Sequence, residues 1–139
     1  DETGSIGKAY GYQLGVKHQY PEGEFDQVDR VLYDLKHNPA SRRILTNLYN
    51  FADLHEMSLY PCAYSMTFNV SGNTLNAILN QRSQDMLTAN NWNVTQYAVL
   101  VHMLETFTTS RWMISVLKTT AITNSGKRFP LRCEPWMPL

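Results

Sequence analysis

Net charge, cysteine and long apolar runs are all scarce in this chain, and each scarcity removes a class of function. Twelve basic residues balance twelve acidic ones, so no overall field gathers nucleic acid or an anionic membrane. Any anion site has to be built locally. Only two cysteines occur, Cys62 and Cys133, too far apart in sequence for a disulfide framework or a Cys-x-x-Cys metal pair. A reducing cytoplasm is the compartment that suits them. The longest apolar run, Tyr97 to Val101, is far too short for a membrane span or a signal peptide. An initiator methionine is missing too: the chain opens on Asp1-Glu2-Thr3, and we expect upstream residues to have been lost.

What is present describes one domain, or a piece of one. The 139 residues are 43% hydrophobic and 17% charged, a globular composition long enough to bury a core. Gly4 to Gly23 is rich in Gly and Tyr and reads as loops and short extended pieces rather than helix. Phe25, Val28, Leu32 and Leu35 then repeat at helical spacing until Asn38-Pro39 stops them. Arg43 to Tyr49 reads as a short strand, followed by a polar loop carrying Asp53, His55 and Glu56. Tyr64, Met66, Phe68 and Val70 alternate with polar residues, Ser71-Gly72-Asn73 supplies a turn, and Leu75, Ala77 and Leu79 alternate again. This predicts a hairpin with one buried face. A last helix is predicted from about Val94 to Leu104, with Asn93 as its N-cap and Gln96 completing a capping box.

The hairpin gives the chemistry a location. Cys62 precedes its first strand and Arg82 closes the second, so antiparallel pairing brings thiol and guanidinium to one end of the sheet. An adjacent Arg favours the thiolate, the nucleophilic form of cysteine. Taken singly, Cys62 reads more readily as a core cysteine than as a nucleophile, and Arg82 as a solvated charge. Arg42-Arg43, after Ser41, is the most concentrated positive charge and suits forked phosphate recognition, or is an ordinary exposed pair.

Several motifs fail. Gly4-Ser5-Ile6-Gly7-Lys8 has too few residues between its glycines for a phosphate loop. His55-Glu56 lacks the second histidine of a zinc helix, and His102 with Glu105 stands alone, so no metal is expected. Asn69-Val70-Ser71 and Asn93-Val94-Thr95 match the glycosylation sequon, by chance in a cytosolic protein.

Five segments, in order, resemble thymidylate synthases: Tyr10-Gly11-Tyr12-Gln13-Leu14, Asn38 to Arg43, Tyr60-Pro61-Cys62, Gln81-Arg82-Ser83-Gln84-Asp85 and Trp92-Asn93-Val94. The likeness runs over about residues 3 to 104. It implies an α+β fold, a mixed sheet flanked by helices and here incomplete, in a cytoplasmic homodimer with no nucleic-acid or membrane partner. It also implies a methyltransferase that makes dTMP from dUMP, with 5,10-methylenetetrahydrofolate as carbon donor and reductant. On the resemblance, Cys62 is the nucleophile that adds to C6 of the uracil. Arg82 favours the thiolate and contacts phosphate, Gln81 and Ser83 hold substrate, and Arg42 and Arg43 reach the partner subunit's nucleotide. Asn93 reads the pyrimidine edge, where an amide supplies both an acceptor and donors. Asp85 binds the folate pterin and assists proton transfer, and Tyr10 lines the site.

The chain also departs from the family pattern. A further phosphate arginine and the tryptophans expected near the folate are absent, and Ala63 stands where many members carry histidine. Ala89 and Asn91 replace a glycine and a proline expected before Asn93. Glu105 to Leu139 contains neither His nor Tyr, so an expected Asp-x-His-x-Tyr element for the ribose is missing. The change at residue 105 is abrupt, which favours a reading-frame disruption over a divergent end and leaves Cys133 incidental. Two other readings stay open: a pyrimidine nucleotide hydroxymethylase with the same thiol chemistry, and a noncatalytic remnant.

Overall fold

The structure, a computed structural model, describes residues 4–108 and, for the backbone alone, residues 113–119. Its organising element is the predicted hairpin, β4 (Ala63–Ser71) with β5 (Thr74–Gln81), preceded by β3 (Leu45–Asn47) and completed by β6 (Met113–Thr119). The order β3-β4-β5-β6 is antiparallel at its first two interfaces and parallel at the last, which makes the sheet mixed. A parallel pair needs a crossover, and α3 (Ala89–Thr108) supplies it. A second sheet of two short strands, β1 (His18–Tyr20) and β2 (Gly23–Phe25), stands between α1 (Tyr10–Gly15) and α2 (Gln27–His37).

The alternation read from the sequence is the alternation of burial. Leu75, Ala77, Leu79 and Gln81 of β5 are all buried on one face, and Met66 and Phe68 of β4 join them. Phe68 pairs across to Ala77, a small residue that leaves room for the ring. Val31 and Leu35 of α2 and Tyr97, Val101 and Leu104 of α3 close the same core. Gly72 turns the hairpin at φ 57°, the left-handed conformation that the first central position of the favoured hairpin turns requires.

Helix α2 begins where Asp26 accepts a hydrogen bond from the Asp29 N–H at 2.8 Å, and it carries Lys36 and His37 in its last turn. Arg30 ties it to the small hairpin through Glu22 at 2.6 Å, with its guanidinium over the Tyr20 ring, and pairs within the helix with Asp34 at 2.9 Å.

Three expectations change. Gly4 to Gly23 is not all loop, because the six residues of α1 are helical. Without apolar periodicity a helix this short depends on docking, which the sequence does not display. The third strand spans Leu45–Asn47, narrower than Arg43 to Tyr49, although Ile44 is buried and its carbonyl accepts from the Phe68 N–H. The last helix starts at Ala89 and runs to Thr108, so Asn93 lies within it and is no N-cap. Ala89 and Asn91, standing in for glycine and proline, leave nothing to break the earlier turn. Glu105, where the divergent tail was expected to begin, is also inside this helix, and Cys133 lies outside the described residues. No helix among the described residues is long and apolar enough to cross a membrane.

Phe68→Ala removes the largest fully buried side chain from the hairpin face. We expect it to cost about 3–5 kcal/mol of unfolding free energy, read from urea denaturation.

Candidate active site

The site grows from the open end of the β4–β5 hairpin. Ala63 pairs with Gln81, and the register then shifts so that Tyr64 is an extra residue, a bulge beside the segment that carries Cys62. The Arg82 N–H donates to the Cys62 carbonyl at 2.9 Å and extends the pairing past the formal strand ends. The neighbourhood inferred from sequence order is therefore a direct backbone contact.

Arg82 does more there than the sequence suggested. Its Nε donates to the Pro61 carbonyl at 3.0 Å and its Nη2 to the Tyr60 carbonyl at 2.9 Å. The guanidinium thus clamps the turn leading into Cys62, while the residue stays exposed with donors to spare. The Cys62 sulfur is half-buried, 4.0 Å from the Tyr60 carbonyl.

Tyr10 arrives from α1. Its hydroxyl accepts a hydrogen bond from the Cys62 N–H at 3.0 Å and also interacts with the Cys62 side chain. Burial is the main cause that pushes this phenol above its ordinary value. Behind it, burial pushes Tyr97 of α3 up to about 12, so both phenols are protonated at neutral pH. Tyr10 is the one non-glycine residue with a left-handed φ, 23°, among the described residues. Such a conformation costs on the order of 1–3 kcal/mol and persists only where surrounding contacts impose it.

Gln81 is 4% exposed, and among the described residues neither its Oε1 nor its Nε2 has a hydrogen-bond partner. An unpaired buried amide is costly, and its place beside the Cys62 turn suits a bound molecule or an ordered water. Asp85 is exposed, and its carboxylate is held below the usual range, chiefly by the Thr88 hydroxyl and then by the Thr88 and Leu87 N–H groups. Ser83 is half-buried, one residue beyond the Arg82 clamp. Asn93 is half-buried in α3. Arg42 and Arg43 are exposed between α2 and β3, and no ion pair engages either guanidinium among the described residues. Tyr10, Cys62 and Arg82 are thus in direct contact, Gln81 adjoins them, and the remaining candidates touch none of the three by hydrogen bond.

The sequence reading missed Gln13 and Asp53, which meet below α1 at 2.9 Å. Gln13 lay in a quoted segment and Asp53 in a polar loop, yet nothing local linked them. Among the described residues no group of three His, Cys, Asp or Glu side chains is gathered as a metal site.

A model of thymidylate synthase matches residues 1–121. The chain belongs to the thymidylate synthase family. It is 49% identical over 104 residues to the thymidylate synthase of Bacillus licheniformis, covering 74% of this chain and 37% of that protein. The thymidylate synthase of Bacillus phage phi3T is 47% identical over the same shares. Among solved structures, the thermostable thymidylate synthase A of Bacillus subtilis superposes with a TM-score of 0.70 at 43% identity, covering 76% of this chain and 38% of that one. The chain therefore spans little more than a third of these relatives, and its mixed α+β sheet is part of the thymidylate synthase fold.

The Asp85 carboxylate generates a pH prediction. Its folded value lies below the ordinary 3.8, so the stability it contributes is present above that pH and is lost as the pH falls through the folded value. Thermal melts should show wild type more stable than Asp85→Asn at neutral pH, with the gap closing only below about 3.8.

Proposed function

We propose that the chain carries the nucleophile end of a thymidylate synthase active site, acting on dUMP in a cytoplasmic homodimer. The observation that carries this reading is the contact of Tyr10 and Arg82 with Cys62 in a member of that family. The Cys62 sulfur adds to C6 of the uracil, and C5 becomes an enolate carbon able to form a bond to a one-carbon unit. Tyr10, protonated and in contact with Cys62, is placed to exchange a proton at the ring.

The other residues follow by chemistry. The donors of Arg82 that are not spent on Tyr60 and Pro61, with the Ser83 hydroxyl, suit the phosphate. The unpaired Gln81 amide suits substrate polar groups. Asn93 matches N3–H and O4 of uracil, whereas cytosine presents the opposite pattern and would leave a buried group unpaired. Arg42 and Arg43, free of ion pairs among the described residues, are suited to the nucleotide of a partner subunit. 5,10-Methylenetetrahydrofolate supplies the carbon unit and the reducing equivalent when bound. Asp85, exposed and ionised, fits it, because a carboxylate accepts from pterin N–H groups.

The absence of His and Tyr from Glu105 to Leu139 favours one competing reading, a noncatalytic remnant that binds nucleotide. Assays of dTMP formation separate the two. Cys62→Ser is expected to abolish turnover while retaining dUMP binding in titration calorimetry. Undiminished turnover would remove Cys62 as nucleophile, and dUMP binding by wild type without turnover would establish the remnant.

A further inference from the structure

We propose that Gln13 and Asp53 are positioning residues that hold α1 so that the Tyr10 hydroxyl reaches Cys62, an inference that rests on reading Cys62 as the nucleophile. Gln13 stands one turn beyond Tyr10 on α1 and is 5% exposed. Its Nε2 donates to Asp53 Oδ2 at 2.9 Å and to the Lys8 carbonyl at 3.0 Å. Asn50 Nδ2 donates to the same Asp53 oxygen at 2.7 Å. Lys8 Nζ reaches Asp53 Oδ1 at 3.3 Å and Glu56 Oε1 at 2.7 Å. The loop of residues 50–56 thereby grips the chain on both sides of Tyr10, at Lys8 before it and at Gln13 after it.

That grip meets a specific need. Six residues make too short a helix to persist alone, and the first of them holds the left-handed φ of 23°. Something outside α1 has to impose the conformation that aims the Tyr10 ring. The backbone adds to the grip: the Lys8 N–H donates to the Glu56 carbonyl at 3.2 Å, and a Cβ at Gly7 would overlap that same carbonyl oxygen. On the far side, Gln27 of α2 donates to the Gln13 carbonyl at 2.8 Å.

The charged groups of this network do not bear on Cys62 by hydrogen bond. Lys8, Asp53, Glu56 and His55 contact one another and α1, whereas Cys62 is faced by Tyr10 from α1 and by Arg82 from the end of β5, with Tyr97 of α3 acting on Tyr10. Any influence of Asp53 on the thiol therefore passes through the Tyr10 ring. With its oxygen engaged by the Cys62 N–H, the Tyr10 hydroxyl has its proton available to donate to the sulfur during attack on an electrophile.

The test is the rate at which iodoacetamide alkylates Cys62 at neutral pH, read by mass spectrometry on the peptide that separates it from Cys133. Gln13→Glu sets two carboxylates against each other, and Asp53→Asn removes the acceptor charge. Each should slow alkylation by roughly two- to tenfold, the worth of one hydrogen bond, as Tyr10→Phe should. Neither should slow it further in a Tyr10→Phe background. Asp53→Asn is close to isosteric and leaves the Gln13 donor to the Lys8 carbonyl in place, so it decides the matter if Gln13→Glu alone fails to fold. Wild-type rates in Asp53→Asn, or additive slowing with Tyr10→Phe, would each overturn the proposal. Protection of wild-type Cys62 by dUMP is read on the same samples. Its absence would sink the nucleotide reading while leaving the Gln13–Asp53 result to stand on its own.

Discussion

Backbone pairing between β4 and β5 is the constraint on which the rest of the molecule depends, because it does two jobs along one ladder. Toward the turn it stacks Met66, Phe68, Leu75, Ala77 and Leu79 into the face that α2 and α3 cover. Toward the open end the same register runs on through Ala63 and Gln81 to the bond between the Arg82 N–H and the Cys62 carbonyl. A slip of one residue would turn the apolar set outward and dismantle the thiol site together. Core and chemistry share one specification, so the hydrophobic pattern that selects the register also selects the neighbours of Cys62.

This sharing explains why some of the site was legible in the sequence. Alternation from Tyr64 to Leu79 is a local signal, the Gly72 turn punctuates it, and simple antiparallel geometry carries Cys62 to Arg82. The period of Val28, Leu32 and Leu35 was legible for the same reason. What escaped depends on contacts between segments far apart in sequence. Helix α1 has no stripe of its own and is held by Gln13 against Asp53, 40 residues away. Asn93 looked like a cap because it is a favoured cap residue, yet the helix was free to start earlier, and a side chain that could cap is not obliged to. The partners of Arg82 were equally hidden: a guanidinium beside a thiol suggests charge, whereas its hydrogen bonds go to two peptide carbonyls.

Those carbonyls give the arginine a double character. Anchored by Nε and one Nη2 proton, the guanidinium plane is fixed, and its other donors point in a direction set by the backbone rather than by rotamer choice. Fixing the Tyr60–Cys62 turn and presenting a preformed fork are then one act, and the cost of ordering a long side chain is met before any ligand arrives. Gln81 presents the opposite condition, an ordered amide whose bonding capacity is unmet. An anchored arginine with donors to spare, beside an unpaired glutamine, gives this end of the sheet both rigidity and capacity for polar atoms.

The parallel placement of β6 carries a consequence for how such a chain acquires its shape. The β4–β5 hairpin closes through a two-residue turn, a local event on the microsecond scale, and α3 can form from its own residues. The fourth strand cannot join until residues 113–119 exist and the helix has swung back across the sheet. During synthesis one edge of β5 therefore stays open after its other edge is paired, an uncapped ladder of N–H and C=O groups. On the face away from the core, Asn76 and Asn80 of that strand flank Ile78 and lend it polarity in the interval before the crossover closes.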